Sequence, residues 1–217
     1  MAGLLIKDIK LLMQRKQTII LFLVISVVLS FTTDSSFVVG YTTFCMFILA
    51  ESTISYDEFD NGFSYLMTLP FKRTSYVLEK YLLCGIFAIS ALIFSNIVCI
   101  FVNEYKQTGF LITDLLTQSA IIFPCVLLVI NLMIPLQIKF GAEKTRIVIF
   151  ATTGIIFILG IAITKFIDLA NLPIDSIIEK LQKITEFQLI IGCFALSIAA
   201  TLLSIAISNK IINNKEF

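Results

Sequence analysis

The sequence predicts an all-α polytopic membrane protein: six transmembrane helices, an N-terminal interfacial elbow helix, and a long cytoplasmic loop between the second and third spans. Three observations carry this reading. Hydrophobic residues make up 58% of the 217 positions and charged residues only 14%, against about 45–50% and about 25% in ordinary soluble chains. A mean hydropathy of +0.98 leaves more apolar surface than a soluble fold of this size can bury, so lipid is the solvent for most of the chain. Six apolar runs also approach the roughly 20 residues needed to cross a hydrocarbon core about 30 Å thick.

The runs are Thr18–Thr33, Phe37–Ser55, Tyr81–Val102, Ser119–Ile138, Ile147–Thr164 and Leu189–Ser208. No internal repeat or low-complexity linker divides them, so residues 1–217 form one membrane domain. The link around Thr32–Ser36 is so short that the first two spans must form a tight hairpin. The first apolar run follows a 17-residue amphipathic segment without a cleavage site, and it reads as a span rather than a signal peptide. Twelve of the sixteen basic residues fall on the N-terminal side of the membrane when spans are counted alternately. The positive-inside bias therefore puts both termini in the cytoplasm. There is no tryptophan, so Tyr56, Tyr81 and Tyr105, at predicted span ends, are expected to anchor the interfaces.

Before the first span, residues 1–17 place Leu5, Ile9, Leu12 and Met13 on one helical face and Lys7, Lys10 and Gln14 on the other. That pattern describes a helix lying in the cytoplasmic interface, a straight extension of span one being the alternative. The loop 56–80 begins with the acids Asp57, Glu58 and Asp60, then Asn61-Gly62, a turn signal. Phe63, Tyr65, Leu66 and Leu69 follow as an apolar patch, Pro70 breaks the chain, and Lys72 and Arg73 precede Thr74 or Ser75, the expected N-cap of the next helix. A loop that only connects helices would be short and polar. This one offers aromatic residues to the cytoplasm and reads as a docking surface, with folding back onto the membrane as the alternative. The outer link 165–187 holds a second amphipathic element, its Ile174, Ile177, Ile178, Leu181 and Ile184 on one face. It is expected to cap the bundle or to serve as a spacer.

Polar residues inside the spans are few: Glu51, Asn96, Asn131 and Gln137 above all. Glu51 is the one carboxylate well inside a span, which makes it a functional candidate, or else a partner for Lys80, Arg73 or Arg15. Span four carries Pro124 and Pro135, expected to kink it and free carbonyls that a neighbour must satisfy. Asn96, Asn131 and Gln137 either line a mildly polar pathway or hydrogen-bond between helices.

Several chemistries are excluded. The chain has no histidine, which removes His-ligated zinc and Ser-His or Cys-His catalysis. A net charge of +1 does not suit a nucleic-acid binder. Cys45, Cys84, Cys99, Cys125 and Cys193 lie singly in apolar runs, without a CxxC pair, as packing residues. No GxxxxGK[ST] phosphate loop occurs, and no paired buried aspartates or positioned base supports a hydrolase.

From Glu51 through Tyr56-Asp57-Glu58, Asn61-Gly62, Tyr65, Leu69-Pro70, Lys72-Arg73 and Lys80-Tyr81, the chain resembles the ABC-2 type permeases of bacterial ABC exporters. It looks most like the small Firmicutes permeases of the phenol-soluble-modulin exporter and lantibiotic-immunity kind. The resemblance implies that 56–80 is the cytoplasmic coupling loop, in which Asp57, Glu58, Asp60, Asn61, Gly62, Phe63, Tyr65, Leu66, Lys72 and Arg73 meet a separate ATPase. It implies two permeases, as copies or paralogues, with two ATPases. ATP and Mg are then held by the partner, and no cofactor by this chain. The expected function is export of amphipathic peptides or similar hydrophobic compounds. Twenty phenylalanines and few buried charges favour passengers that enter from lipid. An ATP-independent secondary transporter or a non-transporting immunity factor are the alternatives; the lack of an inverted repeat argues against the former.

Overall fold

The structure, a computed structural model, describes residues 2–59, 62–68, 71–107, 111–170 and 185–215, with positions 64, 67, 142, 143, 146, 149–170 and 186 described by backbone alone. Every regular element among these residues is helical. In chain order they are α1 (Ala2–Gln14), α2 (Lys16–Thr32), α3 (Ser35–Glu58), α4 (Gly62–Met67) and α5 (Arg73–Lys106). The run Ile112–Ala170 is interrupted at Gly141, where φ is 79° and ψ 168°, and it forms α6 (Ile112–Gly141) and α7 (142–170). Glu186–Asn214 is α8.

Helices α3, α5, α6 and α8 are each long and apolar enough to cross a membrane, and α1 with α2, bent by 70°, passes the same test as a pair. Two residues, Thr33 and Asp34, reverse the chain between α2 and α3, both in extended backbone. The hairpin is closed by a 2.6 Å hydrogen bond between the Ser26 and Thr42 hydroxyls. At the far end of α5, the Lys106 ammonium donates to the last carbonyls of α2, Ser30 at 3.1 Å and Phe31 at 2.8 Å. A cation is favoured there by the helix dipole.

Helix α3 sits at the centre, against α2, α5 and α6, while α8 packs on α6 and α5. Phe47, Ile54, Tyr76, Leu83, Ile130, Ile134, Ile138 and Ile212 meet in the main apolar cluster. On α5 the outer stripe Leu82, Ile86, Ile89, Ile93 and Ile97 is exposed at helical spacing, an apolar face turned outward as a bilayer allows.

Several expectations are corrected. Helix α3 runs through Glu58, so Tyr56, Asp57 and Glu58 are its last turn rather than loop. Helix α5 starts at Arg73 behind Lys72, two to three residues before the expected cap at Thr74 or Ser75. Helix α6 keeps helical dihedrals through Pro124 and Pro135, and the chain leaves helical geometry at Gly141. The carbonyl of Asn131, which lost its i+4 partner at Pro135, accepts the Ser204 hydroxyl of α8. Gly141 takes a left-handed φ open to glycine, and a Cβ there would collide with the Glu58 carboxylate. Tyr81 is not an interfacial anchor: it is buried, its hydroxyl bonded to those of Ser204 and Ser208 at 2.5 and 3.0 Å. All five cysteines are free, and Cys84 and Cys99 are buried in the packing. Asp60, Asn61, Leu69, Pro70 and the outer amphipathic segment 171–184 lie outside the described residues.

Candidate functional site

At one end of the bundle three helices offer side chains to a common point, each at four-residue spacing, which puts them on one helical face. Helix α1 contributes Leu4, Asp8 and Leu12, all buried. Helix α3 contributes Thr53 and Asp57, and α5 contributes Tyr76 and Lys80. The Lys80 ammonium, fully buried, forms ion pairs with Asp8 and, at 2.8 Å, with Asp57 Oδ2; it also donates to Thr53 Oγ1 at 3.1 Å. Lys7 pairs with Asp57 Oδ1 and lies 3.0 Å from Asp8 Oδ1. The Tyr76 hydroxyl donates to Asp57 Oδ2 at 3.1 Å, and Glu79 lies 3.8 Å from Lys80. Such a cluster repays its desolvation only while every partner is in place. It therefore acts as a rigid joint between α1, α3 and α5.

The cluster sets which side of α1 meets the bundle. Leu12 of the expected apolar face packs inward with Leu4 and Asp8, while Ile9 and Met13 of that face are exposed. Asp8 is the functional-looking residue that the sequence reading missed. Its signal was the spacing Leu4, Asp8, Leu12, which puts one acid in the middle of an apolar stripe.

Helix α4 docks beside this joint. Gly62 is required by close approach: a Cβ would come within 2.9 Å of the Asp57 carbonyl. Phe63 and Leu66 turn inward and are buried, with the Phe63 ring edge-on to Tyr76 at 5.2 Å. The apolar patch expected to face the cytoplasm is thus divided. Phe63 and Leu66 are core, while Tyr65 of α4 and Phe59 at the end of α3 are each 73% exposed. Asp57, expected to offer its charge to a partner, is spent internally. Lys72 is exposed. Arg73 turns to α8, its Nη1 donating to the carbonyls of Ile212, Asn213 and Lys215 at 3.0, 3.1 and 3.3 Å. Lys215 donates to the Ile138 carbonyl at 3.0 Å and lies 5.2 Å over the Phe63 ring. The start of the chain, the end of α8 and α4 thus share one end of the bundle.

Asn96, Asn131 and Gln137 each make an interhelical bond, while Asn131 Oδ1 and Gln137 Oε1 are buried with no hydrogen-bond partner among the described residues. Ser119 donates to Asn96 Oδ1 at 2.7 Å, Asn131 Nδ2 to Thr201 Oγ1 at 2.9 Å, and Gln137 Nε2 to Ser55 Oγ at 2.8 Å. Glu51 is buried, but among the described residues it has no ion pair. Lys80 is taken by Asp8 and Asp57, Arg73 by α8, and the Arg15 guanidinium stacks 4.7 Å over the Tyr56 ring.

A helical bundle with lipid-suited outer faces and a buried ionic cluster at one end, beside a short helix with one exposed aromatic, defines a polytopic membrane protein. Residues 3–213 match the family model of ABC-2 family transporter proteins, and the chain belongs to that family. No curated protein and no solved structure matches it. Members of this family are the membrane component of ABC transporters, working with an ABC ATPase subunit rather than hydrolysing ATP themselves.

Proposed function

We propose that the chain is the permease subunit of an exporter whose ATPase, a separate subunit binding ATP and Mg, docks on α4. The observation that carries this is Tyr65, 73% exposed on a short helix whose Phe63 and Leu66 are anchored in the core, with Phe59, also 73% exposed, at the end of α3 just before it. An exposed aromatic pair on a rigid support is the kind of anchor that dominates protein interfaces. Lys72 and Glu58 flank that surface, and Asp60 and Asn61 belong to its sequence. In this reading α2, α3, α5, α6, α7 and α8 are six spans, α1 is an elbow at the cytoplasmic face, and both termini are cytoplasmic. Two permeases assemble with two ATPases.

The passenger is an amphipathic peptide entering laterally from the membrane, where its apolar face is already out of water. Copurification of the permease with an ABC ATPase, followed by ATP hydrolysis in nanodiscs, tests the reading. Tyr65→Ala should lower peptide-stimulated hydrolysis while leaving membrane insertion intact. An amphipathic peptide should stimulate more than a scrambled one of equal composition. Full coupling in a Phe59→Ala/Tyr65→Ala variant would remove α4 from the interface, and equal stimulation by both peptides would remove amphipathicity as the recognised feature.

A further inference from the structure

We infer that Tyr76 is a positioning residue that ties the docking helix α4 to the N-terminal helix α1, an inference that rests on the docking role proposed for α4. Tyr76 is fully buried, so it meets no partner itself and acts through what it holds. Its two ends contact different parts of the molecule. The ring packs edge-on against Phe63 of α4 at 5.2 Å. The hydroxyl donates 3.1 Å to Asp57 Oδ2, the carboxylate that also takes Lys7 of α1 and Lys80 of α5.

Phenylalanine would fill the same space, so packing with Phe63 does not require the oxygen. The hydroxyl connects an aromatic contact to the ionic joint, and a buried hydroxyl is kept where it has a partner. Lys80 lies 5.1 Å over the same ring and reaches Asp8 beyond it. A shift of α4 therefore moves Phe63, then Tyr76, then a cluster of charge-assisted bonds that weaken steeply when stretched. Helix α1 must follow or the joint must break. The backbone provides a pivot: Arg15, between α1 and α2, has the non-helical pair φ −98°, ψ 28°, at the 70° bend. Motion at α4 is thereby delivered to the start of α2.

The test uses spin labels at exposed Lys10 of α1 and Thr68 after α4, in a cysteine-free permease in nanodiscs, with distances read by electron double resonance. ATP hydrolysis is then measured with the copurified ATPase. Tyr76→Phe should broaden the distance distribution and lower peptide-stimulated hydrolysis several-fold, with ATPase recovery unchanged. Asp8→Asn should act alike, and the double variant should be no worse than either single one, because both break one chain of contacts. A distribution unchanged by Tyr76→Phe, or effects that add, would overturn the proposal. If Tyr76→Phe inserts poorly, Asp8→Asn, which leaves Tyr76 in place, decides by the same two readouts. If wild-type complex shows no hydrolytic response to any peptide, the peptide passenger falls, while the distance measurement still decides whether Tyr76 ties the helices.

Discussion

Replacing Lys80 by methionine isolates the ionic joint from packing. Methionine is close to lysine in length and volume and adapts to irregular cavities, so the change removes a charge without leaving a large void. What remains around the vacated position is Asp8, fully buried, Asp57, 5% exposed, and Glu79, 1% exposed. Lys7 still reaches both aspartates, but its side chain is 34% exposed, and it cannot neutralise two carboxylates. Removing one partner of a buried ion cluster costs about 3–5 kcal/mol. For a chain of this size each kcal/mol moves the melting temperature by about 2–4 °C, a fall of roughly 6–20 °C. Circular dichroism melts in a fixed detergent measure it. The sharper measurement is the double variant Asp8→Asn/Lys80→Met, which removes both charges. It should recover about 1–3 kcal/mol relative to Lys80→Met alone, a coupling of the size contacting residues show. A Lys80→Met melt within about 1 kcal/mol of wild type would refute the reasoning, because that is the ceiling for solvent-exposed pairs. A double variant less stable than the single would refute it as well.

Three further outcomes are expected. Gly141→Ala should destabilise by about 1–3 kcal/mol from the left-handed φ, the flexible Glu58 carboxylate swinging aside; a melt within error of wild type would mean that α6 and α7 do not need this break. Ser204→Ala strips the donor from the Asn131 carbonyl that Pro135 has already deprived of an N–H, at about 1–3 kcal/mol for the orphaned acceptor. Thermal unfolding should show that loss in the wild type and much less of it in a Pro135→Ala background. Single cysteines at Ser35 and Lys144 in a cysteine-free chain should label with membrane-impermeant maleimide from outside and inside respectively, and external labelling at 144 would reverse the topology.

The spans are legible in the sequence because lipid admits only long apolar stretches, and α3, α5, α6 and α8 each contain one. Their ends are not. Helix α5 begins eight residues before Tyr81 because Arg73, Tyr76 and Lys80 find partners on other elements, and polar residues with tertiary partners look the same as loop in one dimension. The prolines of α6 show the same limit from the other side. Pro135 signals a lost hydrogen bond, but only the position of Ser204 on α8 decides that the helix survives it. In the candidate site, the loop at 56–72 is conspicuous for its aromatics, yet which of them face outward depends on a short helix whose inner side is set by Phe63 against Tyr76. Asp8 is marked in sequence only by its place between Leu4 and Leu12. Its partner lies 72 residues away, and only the fold brings the two together.

The stapling of α8 by Arg73 bears on how the molecule comes into being. Arg73 grips carbonyls 139 to 142 residues further on, and Lys215 lays its ammonium over Phe63. A chain inserted from its first residue onward can complete the joint between α1, α3 and α5 as soon as Lys80 is made. The surface under α4 is finished only when the final turn of the last helix has left the ribosome. Long-range closures of this kind are slow steps in assembly. A nascent chain therefore presents an α4 without its full footing until Lys215 is in place.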